Sequence, residues 1–448
     1  MKKIIFKRIK MKGIPFLLLV ISLLTARPVF GQTHNPASLQ ASTNQETPHF
    51  SLQQILTRIE TNNPGLQQFA LKTKSSFALG EASRAWMAPS IGLGMSEFPY
   101  GSVSKINNGM MPRKMLMLRL QQMFPNFSKQ KAEQKYEQSF ANQNKDDRGT
   151  MKNRLFAQAK MAYYDAFIAQ KKLSVIEEQE KKLQLLIQVA EGRLAYNKAS
   201  LPNIYKARAK LSDLQSMQIK LHSTSKQSIA ILNSLMNRPV NAALSIDTSN
   251  HFQKGQINIL QVDSAYVLKN RTDILHTGDA IHTLNLKQKM VGQASKPTFG
   301  ITLDNMRMPG FENNGMYTFS VMATMSIPIA PWFSKGYKSK VNAMDYQIQA
   351  MQKMKENQII TALGNIQKDW LNLQSAKKDL KIFKEEVLPA YAKTYQSYLN
   401  AFSENTGDIY ETLSAWDDLT MKRMEYYDKL GGLLNIKILL ETELQVRK

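Results

Sequence analysis

From Leu155 to Leu194 apolar residues recur in alternating steps of four and three, at positions 155, 159, 162, 166, 169, 173, 176, 183, 187, 190 and 194, with Glu180 the one polar break. Such an alternation is a heptad seam, the stripe along which one helix winds against another. No proline lies between Ser128 and Ala199, and only Gly149 and Gly192 interrupt the helix-forming composition. A continuous helix over that run would reach roughly 100 Å at 1.5 Å per residue, far longer than a globular domain accommodates. The pattern breaks at "NKASLPN", resumes from about Asn203 and ends at "LNSLMNRPV", where Pro239 forbids continuation. A helical hairpin is therefore expected over 128–237.

Strands are expected just before this hairpin. In "APSIGLGMSEFPYG" Ile91, Leu93 and Met95 alternate with small residues, and in "KMLMLRLQQMFP" Leu116, Leu118 and Leu120 alternate with longer or charged ones. This period of two predicts a β-hairpin over 88–125, turning around "SKINNGMMP". Upstream, Ser51 is a plausible N-cap for a helical segment that breaks at Asn62, Asn63 and Pro64 and then continues.

The same order then returns. A helical stretch beginning at "INILQVDSAYVLKN" leads into "KPTFGITLDNMRMPG" and "MYTFSVMATMSIP", a second expected hairpin over 297–331. In the latter strand Tyr317, Phe319, Val321, Ala323, Met325 and Ile327 take one face, and Thr318, Ser320, Met322, Thr324 and Ser326 take the other. One apolar and one polar face over about ten residues is the pattern of a strand between lipid and a watery lumen. A long helix is expected from about Ser334 to Phe402, with seam positions Ile359, Ala362, Ile366, Asp369, Leu373, Ala376, Leu380, Phe383, Val387 and Ala390, followed by a break at "SENTGD" and a last helix from about Asp408 to Gln445. Matching features sit at nearly constant offset: Pro89 with Pro297, Asn63 with Asn270, Pro125 with Pro331, Asn203 with Asp408. That spacing reads as an internal duplication, with repeats over 50–245 and 246–448. Each repeat comprises a helix, a β-hairpin and a helical hairpin, the latter at 128–237 and 334–445.

The N-terminus and the charge bear on compartment. Residues 1–31 join a basic stretch (Lys2, Lys3, Lys7, Arg8, Lys10, Lys12) to the apolar "IPFLLLVISLL" and close on Val29, Phe30 and Gly31. This is the pattern of a secretory signal peptide, its apolar run of about 11 residues too short for a spanning helix, which needs about 20. A polar, turn-rich arm is expected over 32–49. The chain has no cysteine, so neither disulfides nor N-terminal acylation at a cysteine is expected. Its net charge of +24 falls by seven with the signal, counting Arg27, and the remaining lysines and arginines are scattered along helices. A solvated face accounts for them, as does attraction to anionic lipid head groups or an acidic partner; no nucleic-acid partner is expected of an exported chain.

Four strands in one chain are too few to close a barrel, and open edges in lipid leave backbone groups unpaired, so a spanning sheet here needs several copies of the chain. The succession "LQQILTRIETNNPGLQ", "SLPNIYKARAKLSDLQ", "LNSLMNRPV", "SIPIAPWFSKGYKSK" and "EEVLPAYAKTYQSYLNAFSENTGDIYETLSAWDD" resembles the TolC-like outer membrane efflux family, in order and from about Phe50 to the end. The resemblance implies an α+β membrane protein: a homotrimer whose long antiparallel coiled-coil helices form a periplasmic α-barrel, and whose four strands per subunit contribute to a shared transmembrane β-barrel. It implies the exit duct of a tripartite pump, with a periplasmic adaptor and an inner-membrane transporter of the RND type as partners, outer-membrane lipid around it, and no cofactor. It also implies that the "NKASLPN" and "SENTGD" breaks are periplasmic tips for docking and gating, carried here by Asn203, Gly407, Asp408 and Glu411. Leu413 and Ser414 stand where the family's gate acids commonly lie, a departure from its pattern. Asp408, directly after Gly407, is also placed to act as an N-cap.

Two further sets of residues follow. Pro125, Phe127, Pro331 and Trp332 are expected to mark the two joints where a strand turns into a tunnel helix, the prolines ending strand pairing and the aromatics sitting at the membrane boundary with Phe98, Tyr100, Phe124 and Phe333. Of 24 methionines, Met115, Met117 and Met322 fall on the faces assigned to the lumen. Thioether sulfur suits soft ions such as Cu(I) or Ag(I), and the "MRMPG" and "APWFSK" segments are similar to heavy-metal efflux members; methionine is equally a flexible apolar filler. The cargo thus stands open between metal ions, drugs and a type I secretion substrate. No nucleophile elbow, H-E-x-x-H or phosphate-binding loop is present, so a passive duct rather than an enzyme is expected. An exported structural or adhesive coiled-coil protein would share the heptads without needing amphipathic strands.

Overall fold

The computed structural model describes residues 49–96, 115–196, 199–247, 262–308 and 316–445. The expected signal peptide, all but the last residue of the arm, Phe98, Tyr100, Met110 and Met111 lie outside the described residues. Elements follow in the order β1 (His49–Phe50), α1 (Leu52–Asn62), α2 (Pro64–Ala82), β2 (Ser90–Ser96), β3 (Met115–Phe124), α3 (Phe127–Leu194), α4 (Leu201–Leu235) and β4 (Ser245–Ile246). They continue with α5 (Ser264–Asn270), α6 (Thr272–Gly292), β5 (Phe299–Met308), β6 (Met316–Met325), α7 (Pro331–Ile382), α8 (Leu388–Ser403) and α9 (Ile409–Leu444).

The start of the ordered chain follows from local chemistry. Ser51 forms a full capping box with Gln54, each side chain bonding the other's backbone amide. Asn63 caps α2 through Gly65 and donates to the Leu235 carbonyl at 2.8 Å, joining the start of α2 to the end of α4. Beside this joint, β1 pairs in parallel with β4, Phe50 opposite Ile246.

The 68 residues of α3 extend about 100 Å. Leu155, Ala159, Ala162, Ala166, Ala169, Leu173, Ile176, Leu183, Ile187 and Ala190 of its seam are all buried. At the expected break the helix inverts the pattern by one residue: Gln179 is fully buried and Glu180 stays half-exposed, which keeps the carboxylate in water. Small alanines alternating with large residues let α4, α9 and the preceding helices approach α3 closely. Three apolar clusters run down the molecule: α3 and α4 with α8 and α9 toward the breaks; α1, α2 and β4 against α3 and α4; and α5 and α6 against α7 and α9.

The second long helix departs from its expected form. It begins at Pro331 rather than near Ser334, and between α7 and α8 the residues Phe383–Val387 form a π-helical turn. Pro389 lacks the N–H a regular helix would need there, and the wider turn absorbs the missing bond. One extra residue per turn shifts the buried stripe, so the seam continues through Tyr395 and Phe402, and Ala390, an expected seam residue, is exposed. Likewise β6 ends at Met325; Ile327, expected on its apolar face, lies past the last pair.

The four long strands form one antiparallel sheet in the order β2–β3–β5–β6. Directly opposed residues share a face, which fixes its two sides. Ile91, Leu120, Leu303 and Val321 stand in one row and Gly92, Arg119, Asp304 and Ser320 in the next. Among the described residues, no helix is long and apolar enough to cross a membrane.

Candidate functional site

The sheet presents one largely apolar face, on which Gln122, Asn305 and Arg307 are the polar exceptions. Ile91 and Leu93 on β2 are 74% and 79% exposed, and Leu116, Leu118, Leu120, Phe299, Ile301, Tyr317, Phe319, Val321 and Met325 are exposed with them. The opposite face carries Met115, Met117, Arg119, Gln121 and Met123 on β3, Thr302, Asp304 and Met306 on β5, and Thr318, Ser320 and Met322 on β6. Met117 and Met306 are direct cross-strand neighbours, while Met322 stands opposite Thr302, one row beyond Ser320. The three methionines singled out in the sequence therefore share the polar face, but they do not cluster: Met115 lies at the far end of β3 from Met322. Two sulfurs already accept hydrogen bonds, Met117 Sδ from Arg119 at 3.7 Å and Met123 Sδ from Gln121 at 3.6 Å.

At the centre of this face Arg119 donates through Nε and Nη2 to both Asp304 oxygens, at 2.7 and 3.1 Å. Asp304 is only 4% exposed, and the bidentate fork satisfies a charge that would otherwise be costly to bury. This pair escaped the reading of the strands; its signal was present, since Arg119 is the lone charge within "MLMLRLQQMF" and Asp304 the lone acid within "FGITLDNMRM".

The two joints between sheet and helices differ. Pro125 follows Phe124, the last residue of β3 to pair with β5, and Asn126 then caps α3 through Lys129 while its amide donates to the Gln293 carbonyl at 2.8 Å. Phe127 is the first residue of α3 and packs edge-on to Trp86, which also meets Phe124. Trp86, not singled out from the sequence, is thus the hub of that joint. At the second joint strand pairing ends at Met325, six residues before Pro331, so Pro331 opens α7 rather than terminating the strand, and Trp332 is 84% exposed.

At the far end the two helix breaks lie side by side. Gly407 closes the second by donating to the Ala401 carbonyl at 3.0 Å, and a Cβ there would press on Ala401 at 3.0 to 3.2 Å. Asn405 supplies the left-handed residue, at φ 61°. Asp408 occupies the N-cap position of α9, but its side chain makes no capping bond; its carbonyl accepts from Thr412 Oγ1 instead. Glu411 is exposed in the first turn, where its charge complements the helix dipole. Asn203 sits in the first turn of α4, its amide donating to the Ser200 carbonyl. Leu413 is 1% exposed, so apolar packing occupies the position where the resemblance implies an acid.

Arg193, at the end of α3, ties the breaks together. It donates to the carbonyls of Phe402 at 2.6 Å and Ser403 at 3.3 Å, with its guanidinium 4.2 Å from the Phe402 ring. Lys206 lies over the Tyr410 ring at 4.3 Å, and Lys210 bonds Asp417 at 2.9 Å, a bond that raises the lysine above its ordinary value.

Residues 55–238 match the model of the outer membrane efflux protein family. A search of curated protein sequences finds no significant match. Among solved structures the chain is similar to the CusC channel, at 18% identity and a TM-score of 0.69 over 88% of this chain and 91% of that one. It is similar also to a membrane protein from Pseudomonas aeruginosa, at 14% identity and 0.71 over 88% and 92%, and to the Campylobacter jejuni CmeC outer membrane channel, at 12% and 0.66 over 89% and 87%. Residues 55–238 thus carry the sequence pattern of the outer membrane efflux protein family, and most of the chain has the fold of solved outer-membrane channels.

Proposed function

We propose that three copies of this chain form one passive export duct, each contributing β2, β3, β5 and β6 to a closed twelve-stranded barrel that continues into a periplasmic helical tunnel. The observation that carries this reading is the sheet itself, with one face largely apolar and solvent-exposed, interrupted by Gln122, Asn305 and Arg307, and with β2 and β6 left as unpaired edges. In lipid such edges are satisfied only by closure with further strands. The two successions of helix, strand pair and long helices are the two repeats of an internal duplication, at 50–245 and 246–448, each supplying one strand pair and one joint. The tips formed by the breaks near Asn203 and Gly407 serve as the contact for a periplasmic adaptor, which links the duct to an inner-membrane pump, here of the RND type.

The test exploits the absence of native cysteine. Single pairs drawn from Gly92→Cys or Gly94→Cys on β2 with Thr318→Cys, Ser320→Cys or Met322→Cys on β6 should, at one register, yield covalent trimers in outer-membrane fractions on oxidation. Monomers at every register, or a product fractionating as soluble periplasmic protein, would overturn the shared barrel.

The methionines on the polar face support a second, narrower reading, in which the cargo is a soft metal ion such as Cu(I) or Ag(I). Deleting the gene should then lower growth on copper or silver salts. A strain whose tolerance changes only toward drugs removes the metal reading and leaves the duct.

A further inference from the structure

Below the aromatic joints the exposed charges in the first turns of α3 and α7 are all lysines, while the exposed Glu81 of the neighbouring α2 is taken up by Arg84 and Gln134. Lys131 and Lys135 follow Phe127 on α3 at i+4 and i+8, and Lys335 follows Trp332 on α7 at i+3, each on the side of its helix that an exposed aromatic begins, with Lys338 one further i+3 step round α7. All four are exposed and, among the described residues, none has an ion-pair partner. Neither helix has an acid in its first turn. This placement opposes the helix dipole, which favours anions at the N-terminus and disfavours cations, so folding alone gives no reason for it.

The aromatics fix the depth. Phe124 lies on the apolar face, in one row with Phe299 and Met325, and Trp86 joins it to Phe127 with ring centroids 5.7 and 6.1 Å away. Aromatic residues settle at the level of the head groups. At 1.5 Å per residue Lys131 stands about 6 Å, and Lys135 about 12 Å, beyond Phe127 toward the periplasm. The head-group layer is about 5 to 8 Å thick on each side, so Lys131 stands within it and the long stem of Lys135 reaches back up toward it.

We infer that these lysines form a collar that binds the head groups of anionic phospholipid in the periplasm-facing leaflet. Continuity with the apolar sheet face selects lipid as the occupant, because the lysines adjoin that face directly, at the opposite end of α3 from the tips. The inference rests on the barrel proposed above.

The experiment is native mass spectrometry of the detergent-extracted assembly supplied with equal phosphatidylglycerol and phosphatidylethanolamine of matched acyl chains. The wild type should retain the anionic lipid preferentially. Joint Lys131→Gln, Lys135→Gln, Lys335→Gln and Lys338→Gln substitution should reduce that preference by on the order of tenfold, and the four Lys→Arg changes should preserve it. Equal retention of both lipids by the wild type overturns the collar without recourse to any variant. So does an undiminished preference in the Gln variant, or its loss on adding millimolar inorganic phosphate, which would mark a site for the free anion. A protein that needs no detergent and retains no lipid at all overturns the barrel with it, whereas retention without charge preference removes the collar alone.

Discussion

Asp146 shows how much a single buried carboxyl imposes on this helical body. It is 9% exposed on α3, faces Asp279 of α6, and one of its oxygens has no hydrogen-bond partner. Burial first, then the charge of Asp279 and a hydrogen bond to it, push Asp146 up to about 6, with His276 and Lys145 pulling the other way. A carboxyl whose folded-state value lies above its unfolded one binds its proton more tightly when folded. Its cost is therefore absent below about pH 4, grows as the pH rises toward 6, and is constant above that. Asp146→Asn should remove the cost, stabilising the protein at pH 7.5 by at most about 2 kcal/mol with the gain vanishing near pH 4. Thermal melts followed by helical circular dichroism at both pH values check this; equal shifts at the two would show that the carboxyl is not the cause. Nothing in "NQNKDDRG" distinguishes Asp146 from Asp147: which of the two is buried depends on where α6 lies, not on local pattern.

At the scale of elements, periodic segments and the breaks that Pro, Gly and Asn mark were legible, and the interruption inside the second long helix was not. The seam of α3, the N-cap at Ser51 and the alternation of β3 and β6 follow from local rules, and the structure carries them with shifts of one to three residues at the ends. The π-helical turn before Pro389 was missed because heptad spacing continues to be available on either side of it; only the buried Tyr395 and Phe402 reveal the change of face. Arg193 was missed for a related reason, since its partners are backbone carbonyls 209 and 210 residues away. Those carbonyls belong to the last turn of α8, beyond the regular helical ladder, where the Phe402 carbonyl accepts from the tightening Asn405 amide as well as from Arg193. Arg193→Ala removes two charge-assisted hydrogen bonds and a ring contact, together about 1.5 to 3 kcal/mol of local stability. Hydrogen exchange of the amides over 398–407 should accelerate by on the order of tenfold or more, while the amides of α3 near Ile176 stay protected. Unchanged exchange at the break would mean that the ladder of α8 and α9 holds it without Arg193.

At the scale of the whole molecule, the sheet's two faces decide where the chain resides. Their assignment was readable because a period of two survives any uncertainty in strand ends; what the sequence left hidden was the register, and with it the pairing of Arg119 with Asp304 on the polar face. The register also supplies a paired test at one depth. Val321 and Ser320 are neighbours near the middle of β6, but Val321 is 63% exposed on the apolar face and Ser320 stands opposite Asp304 on the polar one. An arginine facing hydrocarbon near the midplane costs about 2 to 4 kcal/mol, and a trimer would bear that cost three times over. One facing a watery lumen bears none of it, and at position 320 it would have the Asp304 carboxylate at hand. Val321→Arg should therefore lower the yield of assembled, heat-modifiable trimer in the outer membrane by on the order of tenfold or more, and Ser320→Arg should leave it near the wild-type level. The same defect from both substitutions would mean that the strand tolerates no bulk, and no defect from Val321→Arg would mean that this face does not meet lipid.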